Sequence, residues 1–217
     1  MARQAESAAI YLAHLNPLTK AHERIISSLI SNYKVYVFPV RFLKNNCEIN
    51  TRSFPFPYAL RKEMIESVFG RYKNEITILP FYSFSSPFIK YLPPLLSPYS
   101  LILRNQIIGN VSEEKVISYT GNIAERIMLS IYRLRPLKAS RIQVSASEVR
   151  TMLYNEALSE KIKQDNGIEK PRSWRSKVPE TAIQIIEDNW RIVESFANCQ
   201  DSTIKTMGMK FPKEGFI

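Results

Sequence analysis

The apolar residues of the chain fall into short runs that alternate with helical stripes. Residues 8–13 form an uncharged apolar run, as expected for a strand buried on both faces of a parallel sheet. Asn16-Pro17 then breaks the strand pattern. A helix follows whose apolar residues share one face, and residues 34–40 are rich in β-branched and aromatic residues. This pattern predicts a β-α-β unit with a right-handed parallel crossover.

The same alternation continues along the chain. Proline at the entry of segment 57–69 and Gly70 after its end predict a helix there. Four prolines in 81–99 argue against a long helix or a central strand. We interpret that segment as an apolar cover or a dimer contact, or as a clamp for a flat ring. The other predicted strands are 75–80, 100–104 and 115–120. The other predicted helices are 123–132, a helix that begins at Ser145, and 180–196. The predicted polar loops are 41–53 and 155–171.

This succession of strands and helices indicates an α/β protein. We predict a doubly wound, Rossmann-like parallel sheet of about five strands with helices on both faces. The α/β domain is expected to occupy residues 1–155. A C-terminal helical extension over residues 156–217 is expected to pack on the same core.

Composition restricts the setting in which this fold works. Of the 217 residues, 45% are hydrophobic and 23% charged, as is usual for soluble globular proteins. The polar start and two cysteines without metal or redox spacing favour a cytoplasmic protein with reduced thiols. The net charge of +10 is scattered along the chain, so we expect a polyanionic small substrate and neither nucleic acid nor a membrane as partner. Association into a homo-oligomer stays open.

Two strand-to-helix turns carry the candidate chemistry. Thr19 and His22 stand at the start of the first helix, where free N–H groups favour a phosphate. Ser145 and Ser147 begin a later helix, and Arg150 follows about one turn on, which suits the charge of a triphosphate. Both turns also fit ordinary helix capping, the second as the capping box Ser145-x-x-Glu148.

The spacing at these turns resembles a known superfamily. Residues 13–22, AHLNPLTKAH, resemble the first signature of the HIGH-type nucleotidyltransferases, Gly-x-Phe-x-Pro-x-(His or Thr)-x-Gly-His. Pro17, Thr19 and His22 match this signature, whereas Ala13 and Ala21 replace its glycines. Residues 144–150, VSASEVR, resemble the second signature, Ile-Ser-Ser-Thr-x-x-Arg. The two occur in the correct order about 120 residues apart.

A third segment narrows the resemblance. Trp174-Arg175 and Val178-Pro179 resemble a Trp-Arg-x-x-Val-Pro segment of the archaeal-type nicotinamide mononucleotide adenylyltransferases. The resemblance implies transfer of AMP from ATP to a phosphate-bearing acceptor, namely nicotinamide mononucleotide, with release of pyrophosphate. It implies ATP as substrate and Mg²⁺ bridging the phosphates, held by the nucleotide and water.

The resemblance also assigns roles to individual residues. Thr19 and His22 are expected to bond the α-phosphate, and Lys44 to neutralise the transferring phosphate. Arg150, Ser145 and Ser147 are expected to hold the β- and γ-phosphates. Further nucleotide contacts are expected from Ala13, His14, Asn16, Gly121 and Asn122, and acceptor contacts from Arg61 and Arg41. Arg52 is another phosphate candidate from the loop 41–53.

Three alternative functions remain. Another adenylyl- or cytidylyltransferase, such as one acting on phosphopantetheine, has a Thr-x-Gly-His form similar to the sequence at Thr19. A nucleotide-binding protein without catalysis is the second alternative, because Ala21 narrows the approach of a phosphate to the backbone. A nucleic-acid binder that uses the net positive charge is the third.

Overall fold

The computed structural model describes residues 7–80, 82–92, 97–120, 123–138, 145–162 and 173–217. A five-stranded parallel sheet lies at the centre of the fold. Its strands are β1 (Ser7–Ala13), β2 (Lys34–Pro39), β5 (Ile76–Ile78), β7 (Lys115–Thr120) and β8 (Pro136–Lys138). Their order, β5-β2-β1-β7-β8, confirms the predicted doubly wound α/β fold, with β1 at the centre.

Helices cover both faces of this sheet, because neighbouring residues of β1 point in opposite directions. Ala9 and Tyr11 belong to a core formed with five of the helices, whereas Ala8, Ile10 and Leu12 belong to a second core on the other face. The helices of the first face are α1 (Lys20–Ile30), α2 (Tyr58–Phe69), α5 (Ala146–Ile162), α6 (Glu180–Asp188) and α7 (Trp190–Ala197). Those of the second face are α3 (Pro98–Ile108) and α4 (Ile123–Ile131).

The predicted loop 41–53 is partly wrong. It contains the strands β3 (Arg41–Lys44) and β4 (Cys47–Glu48), which pair antiparallel, and β3 also pairs with β6 (Ser83–Ser85). Asn45 and Asn46 form the turn of the hairpin with φ angles of +50° and +62°. Asparagine tolerates this left-handed conformation, so a two-residue turn forms without glycine.

Two further predictions fail because tertiary context overrides the local pattern. Residues 100–104, predicted as a strand, lie within α3. The Ser97 side chain caps this helix by accepting from the backbone N–H of Tyr99, and its buried residues Ser100, Leu103 and Ile107 have helical spacing. The predicted polar loop 155–171 begins as a continuation of α5 to Ile162, and its remainder, 163–171, lies outside the described residues. The short strand β8 was not predicted.

The C-terminal segment forms a hairpin that packs against the small sheet. Its strands are β9 (Thr203–Thr206) and β10 (Met209–Pro212). Phe211 is 1% exposed, and its ring contacts Phe42 at 5.6 Å and Phe84 at 5.7 Å between centroids. Phe88 completes this aromatic cluster. The hairpin therefore closes the second core beside the end of β2.

None of the helices in the described ranges has the length and apolarity that a membrane crossing requires.

Arg52 fastens the C-terminal helices to the segment before α2. Its guanidinium donates to the carbonyl oxygens of Phe196, Ala197 and Cys199 at the end of α7. It also lies over the ring of Tyr154, 4.5 Å from the centroid. A cation at this position satisfies orphan carbonyls and matches the negative end of the helix dipole. The structure therefore uses Arg52 as a helix cap, whereas its phosphate contact stays a prediction.

Replacing Arg52 with alanine should lower the free energy of unfolding by about 1–3 kcal/mol, because a charged donor to three carbonyls is lost. Urea denaturation followed by circular dichroism measures the change. Arg24→Ala, on the exposed side of α1, is the matched control and should stay within about 0.5 kcal/mol of wild type. Equal stabilities of the two variants would contradict the capping role.

Candidate active site

The first candidate turn is held by a reciprocal cap at the start of α1. The backbone N–H of His22 donates to Thr19 Oγ1 at 3.4 Å, and the backbone N–H of Thr19 donates to His22 Nδ1 at 3.1 Å. This is the capping-box arrangement with histidine at the third helical position. Because Nδ1 accepts a hydrogen bond, the proton of the neutral imidazole is on Nε2. The fold thus fixes both the tautomer and the orientation of His22.

The imidazole of His22 is neutral at physiological pH. Burial lowers its pKa from 6.5 to about 4, and its ring lies beside Tyr11 on β1 at 6.4 Å between centroids. A neutral imidazole with its proton on Nε2 is a hydrogen-bond donor that is available across the whole physiological pH range. In this form the ring can donate one hydrogen bond, from Nε2, to an acceptor such as a phosphate oxygen.

The second candidate turn reaches the first through Arg150. Its guanidinium donates to the backbone carbonyl of Asn16 at 2.5 Å, across 134 residues of sequence. Burial lowers the pKa of Arg150, and most of its side chain lies below the surface. The predicted convergence of the two turns is therefore present as a direct contact between α5 and the loop after β1.

The start of α5 presents two exposed hydroxyl residues next to Arg150. Ser145 precedes the helix, and its Oγ accepts from the backbone N–H of Glu148 at 3.1 Å. Ser147 is likewise exposed. The Glu148 carboxylate pairs with Lys177 at 2.9 Å. The serine bond of the predicted capping box is therefore formed, whereas the Glu148 carboxylate binds Lys177. Ser145 and Ser147 remain exposed to solvent at the start of the helix.

Asn16 shapes the loop between the two turns. Its side chain is 1% exposed, donates to the carbonyl of Phe56 at 2.8 Å and accepts from the Phe56 N–H at 3.0 Å. The preceding Leu15 has φ of +49°, an unfavourable conformation for a branched residue. Asn16 therefore binds the loop to the segment before α2, and its backbone carbonyl is the group presented to Arg150.

Arg61 is a buried charged residue whose guanidinium binds several groups of the site. It is 1% exposed and donates to the carbonyls of His14 at 2.7 Å and Val40 at 2.9 Å and to Glu48 Oε1 at 2.7 Å. Burial lowers the pKa of its guanidinium, while Glu48 raises it. The other oxygen of Glu48 accepts from the backbone N–H of Tyr58 at 2.8 Å. Arg61 thus joins the ends of β1 and β2 to the start of α2.

His14 lies in an aromatic pocket beside these groups. Its ring stacks on Phe54 at 4.4 Å and on Phe42 at 5.8 Å between centroids. Burial lowers its pKa to about 3, with smaller contributions from the positive charges of Arg61 and Arg150. The chain has only two histidines, and both are held neutral at this edge of the sheet.

The other predicted site residues lie as follows. The Ala13 carbonyl accepts from the Val40 N–H at 3.1 Å, at the end of β1. Arg41 donates to Ser83 at 3.0 Å and lies 5.1 Å from the centroid of the Tyr58 ring. Lys44 pairs with Glu214 at 3.2 Å, next to the tip of the β3–β4 hairpin. Gly121 and Asn122 lie outside the described residues, directly after β7.

The structure therefore brings part of the predicted set together. The residues joined at the carboxyl ends of β1 and β2 are Ala13, His14, Asn16, Thr19, His22, Arg61 and Arg150. Arg41 and Lys44 contact other partners.

Sequence reasoning missed Glu48, although it is the single carboxylate in 41–53 and a buried arginine requires such a partner. Among the described residues, no group of three or more His, Cys, Asp or Glu side chains is placed to hold a metal ion.

Comparison with known proteins identifies the same fold elsewhere. No family model and no curated protein sequence matches the chain. A bifunctional NMN adenylyltransferase/ADP ribose pyrophosphatase from Francisella tularensis is similar in structure, with a TM-score of 0.60, 13% identity and 88% of this chain covered. The chain spans about half of that protein, 52% of its length. The Plasmodium falciparum nicotinic acid mononucleotide adenylyltransferase complexed with APC has a TM-score of 0.50 at 14% identity, with 86% and 98% of the two chains covered. The chain has the fold of these adenylyltransferases.

Removing Arg61 should be the most damaging single change at the site. Arg61→Ala leaves Glu48 Oε1 and two carbonyls without their donor, and breaking a buried ion pair on one side costs about 3–5 kcal/mol. Chemical denaturation measures the loss. Lys62→Ala, which removes a surface pair with Glu66 at 3.6 Å, is the neighbouring control and should cost no more than about 0.5 kcal/mol. Wild-type stability of Arg61→Ala would disprove its structural role.

The pKa of His22 predicts how stability changes with pH. Since the folded pKa is about 4 and the ordinary value is 6.5, the unfolded chain binds this proton first as the pH falls. Stability should therefore be fully present above pH 6.5 and decline toward pH 4. His22→Gln keeps a capping-box residue and should show a smaller pH slope of the unfolding free energy, by close to one proton. Identical slopes would contradict the buried neutral state.

Proposed function

We propose that this chain is a nucleotidyltransferase that transfers AMP from ATP to the phosphate of nicotinamide mononucleotide, releasing pyrophosphate. The observation that carries the proposal is the hydrogen bond from Arg150 to the carbonyl of Asn16. It joins the two turns that resemble nucleotidyltransferase signatures, at the carboxyl edge of a parallel sheet where ligands of such sheets bind. The fold shared with adenylyltransferases from Francisella and Plasmodium supports the reaction class.

The reaction needs no covalent intermediate on the protein. An oxygen of the acceptor phosphate attacks the α-phosphorus of ATP in line, and the bond from that phosphorus to the bridging oxygen of the β-phosphate breaks. Pyrophosphate leaves with the electron pair of that bond. The protein then contributes by positioning the two substrates and stabilising charge that builds on the α-phosphate oxygens.

His22 is the residue that we assign to this charge. Its Nε2–H would donate to an α-phosphate oxygen, in addition to the free N–H groups at the start of α1. Thr19 is fully buried and acts through His22, because its backbone N–H fixes Nδ1 as an acceptor. In this proposal Thr19 is a positioning residue, whereas His22 touches the nucleotide.

The start of α5 would hold the other two phosphates. Arginine has five N–H donors, and the contact with Asn16 uses one of them. Ser145 and Ser147 offer exposed hydroxyl groups on the same turn. Charge-assisted hydrogen bonds from Arg150 to the β- and γ-phosphates would favour the leaving pyrophosphate.

The remaining assignments follow from where the residues lie. Ala13, His14 and Asn16 would line the nucleotide from the loop after β1, and Gly121-Asn122 would do so from the end of β7. Lys44 would exchange its exposed pair with Glu214 for the transferring phosphate. The acceptor would contact Arg41 at the start of β3. Arg61 would hold the loop after β1 through its bond to the carbonyl of His14. Mg²⁺ would bind on the phosphates and water, which does not require a cage of protein carboxylates.

Substituting His22 should abolish most of the chemistry while keeping the fold. His22→Gln should slow pyrophosphate release by about 10²-fold or more, the usual cost of removing a donor to the transition state, with a melting temperature near that of wild type. Arg150→Ala should show a loss of similar size. Arg191→Ala, on the exposed face of α7, should retain full activity.

The assay should cross ATP and CTP with nicotinamide mononucleotide, its acid form and phosphopantetheine. Pyrophosphate release specific to ATP and a nicotinamide or nicotinic acid mononucleotide supports the proposal. Release with CTP or phosphopantetheine instead would favour the related transferases. Protection of the chain by ATP without pyrophosphate from any acceptor would show a nucleotide-binding protein without this activity.

A further inference from the structure

A cavity of about 330 Å³ lies at the opposite edge of the central sheet from the candidate active site. Its wall includes Lys115 and Val116 at the start of β7 and Arg135 directly before β8. These strands are parallel, so their amino ends face away from the edge that holds His22. The volume falls at the lower end of the range for small-molecule sites.

The rim of this cavity is predominantly basic. Four cationic residues, Arg104, Lys115, Arg133 and Arg135, surround it together with two acidic residues. One acidic residue, Glu113, is already paired with Lys34 at 3.2 Å. Within the described ranges, the guanidinium groups of Arg133 and Arg135 form no ion pair. The excess of unpaired positive charge favours an anionic ligand.

The backbone at Arg133 gives the strongest reason to regard these charges as functional. The Leu134 N–H bonds to the Leu129 carbonyl and the Arg133 N–H to the Ser130 carbonyl, both at 2.9 Å. This is the Schellman ending of a helix, in which the residue at the position of Arg133 is usually glycine. Arg133 adopts φ of +60° there, and Arg135 follows with +43°. Both positions keep a large side chain where glycine is sterically favoured.

The floor of the cavity is apolar. Ile10 of β1 is fully buried and Leu134 is 3% exposed. The apolar surface accessible to a ligand comes from Ile108, Val111 and Val116, which also line the cavity. A ligand that uses the whole cavity therefore has a compact apolar body and one anionic group directed at the arginines.

We propose that this cavity is a second ligand site, which binds a small organic anion such as an aromatic phosphate monoester or carboxylate. Arg133 and Arg135 bind the anionic group, Lys115 adds a third positive charge, and Ile108, Val111 and Val116 contact the apolar body. The site is independent of the proposed transferase chemistry, because it shares none of the residues assigned to that reaction.

The test is calorimetric titration of the full chain with phenyl phosphate and benzoate, with backbone amide shifts to locate binding. At least one probe should bind saturably and shift the amides of 133–135 and 115–116. Arg133→Gly/Arg135→Gly should weaken that binding about 10-fold or more, since charge-assisted hydrogen bonds are lost. The melting temperature of this variant should equal or exceed that of wild type, because glycine relieves both left-handed positions.

The control variant is Arg24→Ala/Arg191→Ala, which removes the same charge from exposed helix faces and should bind like wild type. Four results would overturn the proposal, the first three of which concern affinity. They are failure of both probes to bind, unchanged affinity in Arg133→Gly/Arg135→Gly, and inorganic phosphate binding as tightly as phenyl phosphate. Binding that is lost in Arg150→Ala and shifts the amides of 16–22 would also overturn it, since the probe would then occupy the carboxyl edge.

Discussion

The buried guanidinium of Arg61 is the interaction on which the site depends. A charge at 1% exposure is tolerated only where it is paired with an opposite charge and hydrogen-bonded. The matching groups here are the carbonyls after β1 and β2 and the carboxylate of Glu48. Two parallel strands end with unpaired carbonyls that have no further sheet partner. Arg61 satisfies these carbonyls and thereby fixes the distance between the loop after β1 and the hairpin after β2.

On this support, two helix starts from distant parts of the sequence meet over one loop. α1 contributes a neutral imidazole oriented by Thr19, and α5 contributes a guanidinium anchored on Asn16. Asn16 is itself held by the backbone of Phe56. Both donors are thus held in position by hydrogen bonds of the chain itself.

The sequence predicts the central sheet well because its signals are local. β1, β2 and β7 are continuous apolar or β-branched runs, and α1 and α2 have clear starts and apolar stripes. The strand prediction at 100–104 is wrong, because these residues belong to α3. Leu101 and Ile102 are apolar but half exposed there, so this apolar run does not indicate a buried strand. Motif spacing anticipates His22 and Arg150 at distant turns. Motif spacing does not reveal that Arg61 holds the strand ends together. Its partner Glu48 reaches it only because the turn at Asn45 and Asn46 forms the β3–β4 hairpin.

The contact of Phe211 with Phe42 links the aromatic pocket of His14 to β10, near the end of the sequence. Phe42 stacks on His14 from one side and meets Phe211 on another. Such a contact closes a very long loop, and the entropy of that closure delays its formation during folding. The central β-α-β unit therefore acquires its shape before the surroundings of His14 are complete. The aromatic surroundings of His14 are therefore complete only once the C-terminal hairpin has docked on Phe42.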